Sequence, residues 1–226
     1  IALMAAQTNI EWTDATWNPV RGCTRVSPGC GGPGKAGGCY AEIMAARFSK
    51  PGQWGHGFAE IVELPGGGID HRWTGNVELV EDKLQVPLRW KEPRRIFVNS
   101  TSDLFHEKLP DEAIDRVFAV MVLCPQHTFQ ILTKRPERMR EYLSSPRTVR
   151  AVYELVCDVV LERDLNFVLI APGVDPANAP VGLRIFLDRW PLPNVWLGTS
   201  CEDQKTADER IPHLLETPAA IRFLSC

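Results

Sequence analysis

The chain has 226 residues, of which 44% are hydrophobic and 23% charged, with a formal net charge of −3 and a pI near 6.0. That is enough for one α/β domain with a sizeable core, and the charge balance excludes a global drive toward nucleic acid or an anionic membrane. Seven cysteines, an odd number in a chain of this size, exclude a complete disulfide framework and point to a reducing, cytoplasmic setting.

The opening IALMAAQ lacks a basic n-region and an apolar h-region, and no run approaches the length of a membrane span, so no membrane partner is expected. VRGC at 20–23 is a weak first strand. It leads into GCTRVSPGCGGPGKAGGCYAE, where Cys23, Cys30 and Cys39 stand in a glycine-rich stretch. Tyr40 then starts a helix, YAEIMAARFS, whose positive N-terminal end suits an anionic group. Glycine and proline punctuate 50–74 every few residues, which predicts a surface loop excursion, and NVELV at 76–80 is a second weak strand.

From Arg94 onward apolar β-rich runs alternate with amphipathic helical patterns, the pattern of βαβ units with parallel strands. RRIFVNS ending at Ser100, HTFQILT ending at Thr133, NVWLGTS ending at Ser200 and the terminal AIRFLS are the clearest strands. PDEAIDRVFAVMVLC, with Pro110, Asp111 and Glu112 in its first turn and Ile114, Val117, Phe118 and Met121 on one face, predicts a helix. PERMREYLSS, TVRAVYELVCDVVLER and DQKTADERIPHLLE predict three more, and APGVDPANAP at 171–180 a second loop. The expectation is one domain over 1–226.

Ligands of parallel α/β proteins bind beyond the carboxyl ends of the strands. Asn99, Ser100 and Asp103 stand there after one strand, Thr133 and Lys134 after the next, and Ser200 and Glu202 after a third. Helix N-capping is the plain alternative for Ser, Thr and Asp, but it suits Lys134 and Glu202 less well, which makes those two candidates for contacting a ligand. Three thiolates are one ligand short of a closed zinc site; a fourth from His56 or His71 would complete one, whereas an iron–sulfur cube on three cysteines keeps one iron open. Cys124 and Cys157 fall in predicted helices as core thiols. The basic runs KEPRR at 91–95 and KRPERMR at 134–140 read as solvated faces, diluted by Glu92 and Glu137, and the seven scattered tryptophans as packing residues.

IEWTDATWNPVRGC, TRVSPGC, the CYAE helix start, NSTSDLFHE, LTKRPER, GTSCEDQ and RFLSC together resemble the phage-associated three-cysteine family of uncharacterised, radical-SAM-like proteins, over nearly the whole chain. The resemblance implies a partial (β/α) barrel with parallel strands, with Cys23, Cys30 and Cys39 holding a 4Fe–4S cluster and S-adenosylmethionine as cosubstrate. It also implies a reductant protein as partner and an unknown substrate, with a nucleotide or nucleic acid as a candidate. Asn99, Ser100, Asp103, Thr133 and Ser200 would then contact cosubstrate or substrate, and Lys134 and Glu202 would be catalytic. Two departures stand out: eight residues separate Cys30 from Cys39 where the family has a short gap, and the family's chain continues past Cys226, so the expectation is a domain truncated at its C-terminus. Two rival readings are a zinc-stabilised binding protein and a divalent-metal nucleic-acid-processing enzyme using Asp103 and Glu202.

Overall fold

A computed structural model describes residues 10–31, 38–162 and 190–226. Its centre is a five-stranded sheet, parallel throughout. In spatial order it comprises β1 (Ala15–Trp17), β6 (Arg95–Val98), β7 (Thr128–Thr133), β8 (Val195–Ser200) and β9 (Ile221–Ser225). The order follows the sequence without reversal, so each strand is added on the same side of the last. Helices α3 (Asp111–Val122), α4 (Pro136–Ser144), α5 (Pro146–Glu162) and α6 (Gln204–Glu216) connect these strands.

One face of the sheet carries the core. Ile96, Val98, Phe129, Ile131, Val195 and Leu197 are buried with Ile114, Val117, Phe118 and Met121 of α3 and Val152 and Val156 of α5. The periodicity of α3 follows from this: it is an apolar helix because it is covered on nearly every side. Side chains on the other face alternate with these, and by register Phe97, Gln130, Trp196 and Ile221 lie across it in one row. Trp12 stands edge-on to Phe97 there, with ring centroids 4.9 Å apart.

The four strands from Arg94 onward form as their apolar runs predict. The weak candidates do form, but off the main sheet: β2 (Val20–Arg21) pairs antiparallel with β5 (Glu78–Leu79), beside the short helix α2 (Glu81–Leu84). The first strand of the main sheet is instead β1, three residues that give no pattern in the sequence. The expected loop excursion at 50–74 needs correction, because it contains an antiparallel hairpin of β3 (Ala59–Glu63) and β4 (Ile69–Trp73). The glycines form its turn, where the Leu64 N–H reaches the Gly68 carbonyl at 3.1 Å. Cys124 is buried as expected but lies just beyond α3, and the loop expected at 171–180 lies outside the described residues. Among the described residues no helix is long and apolar enough to cross a membrane.

Candidate functional site

At the carboxyl ends of β6, β7 and β8 lies a cavity of about 150 Å³. Cys23, Cys30 and Cys39 all line it, together with Asn99, Ser100, Asp103, Thr133, Lys134 and Ser200. Of the cysteines and strand-end residues singled out in the sequence only Glu202 is absent from its wall. Trp73 of the hairpin and Ala41 of α1 (Tyr40–Arg47) close one side, so the excursion at 50–74 is part of the site.

Each cysteine is positioned by its own charged clamp. The first is Arg135, whose side chain is only 9% exposed and whose five N–H donors are all engaged. Its Nε donates to Glu107 at 2.6 Å, and Nη1 donates to Asp103 at 3.1 Å and to the Cys23 sulfur at 3.9 Å. Nη2 donates to the Thr24 carbonyl at 3.3 Å and the Thr24 hydroxyl at 2.8 Å. Asp103 in turn accepts from the Thr133 hydroxyl at 2.7 Å and from the backbone N–H groups of Phe105 (3.0 Å) and Lys134 (3.1 Å). The carboxylate ties the end of β6 to the end of β7, and Arg135 extends the tie to the Cys23 loop.

His106 completes this network. Its Nδ1 accepts the Lys108 N–H at 3.1 Å, so the neutral ring carries its proton on Nε2 and donates it to the Thr24 hydroxyl at 2.8 Å. Thr24 then donates to Glu107 at 3.1 Å. Burial and the Arg135 charge bring His106 down to about 4. Glu107, despite burial, falls to about 2 through the Arg135 hydrogen bond and charge.

The second clamp is Glu202. It accepts the N–H of Gly29 at 3.3 Å, inside the short 3₁₀ turn Pro28–Cys30, and an ion pair of 2.8 Å to Arg210 fixes it from α6. Burial raises its carboxyl, but hydrogen bonds from Ser27 and Gly29 and the Arg210 pair leave it below the usual range. Glu202 therefore holds the Cys30 turn against β8 and does not itself face the cavity. The third clamp is Glu42 of α1, 2% exposed, which takes Arg25 on both oxygens at 2.9 and 3.0 Å and the Trp73 N–H at 2.9 Å. Arg25 also pairs with Asp70 of the hairpin at 3.3 Å. The helix that Cys39 caps is thus fixed to the hairpin and to the Cys23–Cys30 segment.

The long gap between Cys30 and Cys39 is pinched at its neck. The Cys39 N–H donates to the Cys30 carbonyl at 3.2 Å. Gly31, at φ +88, lies so close to Gly38 that a Cβ on it would come within 2.5 Å of the Gly38 Cα. The second and third cysteines are neighbours in space whatever the length of chain between them.

The N-cap alternative for the strand-end residues gives way to other roles. Thr133 accepts the Arg135 N–H at 2.9 Å, Ser100 donates to Asn18 at 3.1 Å, and the cap of α6 is Asp203, in a capping box with Thr206. Neither His56, exposed in a turn, nor His71, on β4, lines the cavity. The basic runs are used internally: Arg94 stacks over Trp90, Arg95 pairs with Asp14 and Arg138 with Asp111. Arg135 stands at the strand end directly after Lys134, where the sequence places it in the same polar rim, whereas His106, Glu107, Arg25 and Glu42 carry no sequence signal that assigns them to the site.

As donors the three thiols suit a thiophilic metal or an iron–sulfur group, and the start of α1 adds a favourable dipole. Burial and the Asp103 charge, opposed by Arg135, push the Cys23 thiol up to about 12, so it stays neutral unless a metal displaces its proton. Among the described residues no three His, Cys, Asp or Glu side chains stand close enough together to hold one metal ion. The thiols therefore fit in kind, and would have to draw together to share one group.

Fold and site thus define an α/β protein with a five-stranded parallel sheet and a cysteine-lined cavity at its strand ends. A family model described as protein of unknown function (DUF5131) matches residues 7–226, and the chain belongs to that family. No curated protein and no solved structure matches it.

Proposed function

We propose that the chain is an iron–sulfur enzyme of the radical S-adenosylmethionine type, built as a partial (β/α) barrel. The observation that carries this reading is the convergence of Cys23, Cys30 and Cys39 on one cavity with the polar residues at the carboxyl ends of three parallel strands. The strand order, free of the reversal that marks a doubly wound sheet, supports the barrel type. When bound, a cluster on three thiolates supplies an open iron for S-adenosylmethionine and the electron that cleaves its sulfonium, starting hydrogen abstraction from a substrate.

The chain's own residues give that chemistry its setting. Arg135 and Asp103 orient the Cys23 loop, Glu202 orients the Cys30 turn, and Arg25 and Glu42 orient α1 behind Cys39. Phe97, Leu132 and Trp73 supply an apolar wall that excludes water. Asn99, Ser100, Thr133, Lys134 and Ser200 line the same space and would contact cosubstrate or substrate; a nucleotide or nucleic acid is the candidate substrate class. Asp103 and Glu202 act here as positioning residues, because arginines neutralise both.

The test is anaerobic reconstitution with iron and sulfide, spectroscopy, and assay for reductive cleavage of S-adenosylmethionine, with Cys39→Ala as control. A brown protein that releases 5′-deoxyadenosine and methionine meets the proposal. Stoichiometric zinc with no such product overturns it in favour of a zinc-stabilised binding protein. Activity that survives loss of all three thiols overturns it in favour of a carboxylate-based enzyme.

A further inference from the structure

We infer that the cavity holds an oxyanion site formed by Asn99 and Lys134, which takes a carboxylate or phosphate group of a small-molecule ligand. The inference rests on the hydrogen-bond inventory of the wall and is drawn for the chain whose three cysteines are free thiols.

Most polar groups of the wall are already committed. The hydroxyl of Ser102 donates to the Val20 carbonyl at 2.9 Å, that of Ser100 to Asn18, and that of Thr133 to Asp103. Asp103 accepts four hydrogen bonds and has no oxygen left to offer. Of the lining residues at the strand ends, three have side-chain polar groups with no partner among the described residues: the Asn99 amide nitrogen, the Lys134 ammonium and the Ser200 hydroxyl. Two of these can only donate, and the third can donate.

Asn99 is the sharper of the two nitrogen donors. It is 3% exposed and holds a left-handed backbone at φ +59, a conformation asparagine tolerates better than most residues. Its Oδ1 accepts the Val20 N–H at 3.3 Å, which fixes the orientation of the amide and leaves Nδ2 at the other end, buried and unpaired. Buried donors in folded proteins are nearly always satisfied, so one left unpaired in a residue that lines a cavity points to a ligand acceptor.

Charge completes the argument. Two cationic side chains, Lys134 and Arg135, line the cavity against one carboxylate, Asp103, which Arg135 already pairs at 3.1 Å. The acidic neighbours Glu107 and Glu202 are held by Arg135 and Arg210. A site with free nitrogen donors, a net positive wall and no free acceptor carboxylate selects an anionic oxygen group over a cation or a neutral donor.

The test titrates the purified chain with inorganic phosphate and, separately, with acetate, following amide chemical shifts at constant ionic strength with chloride as reference. Saturable binding of one or both, perturbing residues around Asn99 and Lys134, is expected. Preference for phosphate assigns a phosphorylated ligand, and preference for acetate a carboxylate-bearing one. Lys134→Met should weaken binding about ten-fold, the loss expected for one charge-assisted hydrogen bond, and Lys134→Arg should largely restore it. Asn99→Asp keeps the oxygen that accepts from Val20 but replaces the donor with a repelling charge, so it should weaken binding at least as much, in a chain whose amide spectrum shows it still folded at the assay temperature. Cys39→Ala should keep the oxyanion affinity whatever it does to metal loading, which separates this inference from the proposed function. Absence of saturable binding, or binding that neither Lys134→Met nor Asn99→Asp alters, overturns it.

Discussion

Acidification should unlock the network that holds the Cys23 loop, and His106 sets the pH at which it does so. In the unfolded chain His106 takes a proton near 6.5, but in the folded chain only near 4, because its side chain is fully buried beside Arg135. A base whose folded pKa is depressed contributes its full stability above the unfolded value and loses it as the pH falls toward the folded one. The loss therefore begins near pH 6.5 and is complete near pH 4. At about 1.4 kcal/mol for each pH unit of that gap, the total is roughly 3 kcal/mol, a large share of the 5–15 kcal/mol typical of a domain. The structural cause is specific: the Nδ1 that accepts the Lys108 N–H would have to carry a proton instead. Urea unfolding followed by tryptophan fluorescence from pH 7.5 to pH 4, on the native chain and on His106→Gln, isolates the term from the carboxylates that titrate in the same range. The variant should be less stable at pH 7.5, and the gap between the two should narrow by roughly 3 kcal/mol as the pH falls. Profiles that stay parallel across the whole range would refute the reasoning.

Arg135→Met leaves Asp103 and Glu107 without their cation and should cost about 3–5 kcal/mol in urea unfolding, with Arg135→Lys recovering only part because it cannot supply five donors. Tyr142→Phe removes a buried 2.8 Å hydrogen bond to Asp115 and should cost about 1–3 kcal/mol by the same measurement, with no effect on metal loading because the pair lies outside the cavity. Gly31→Val places a branched side chain at φ +88 against the Gly38 backbone; it should open the neck between Cys30 and Cys39, lower iron uptake and cost about 1–3 kcal/mol in urea unfolding.

What could be read from the sequence follows from how locally each feature is encoded. The runs RRIFV, TFQIL and VWLGTS are strands buried by helices on one face, so hydrophobicity and β-propensity alone mark them. Since ligands collect at their carboxyl ends, Asn99, Asp103, Thr133 and Lys134 could be placed at one site before any coordinates. β1 escaped notice because three residues give no period, and it exists only through its pairing with β6. The hairpin at 59–73 was hidden by the glycines of its own turn. The clamps were unreadable for a different reason: Arg135 meets Thr24 across 111 residues, and Glu202 meets Gly29 across 173. No local pattern distinguishes such arginines and glutamates from a solvated face. Glu202 shows the limit most clearly, since its position after a strand puts it near the site while its partners, Gly29 and Arg210, turn it from the cavity and give it a different task.

The central claim is that Cys23, Cys30 and Cys39 act together as the ligands of one iron–sulfur group, and its most direct measurement is iron and acid-labile sulfide analysis after anaerobic reconstitution. The native chain and the three single Cys→Ala variants would be compared side by side. The account predicts about four irons and four sulfides per native chain and a sharp loss in every variant. Iron that stays bound when any one of the three thiols is removed, or a native chain that takes up only zinc, would contradict it.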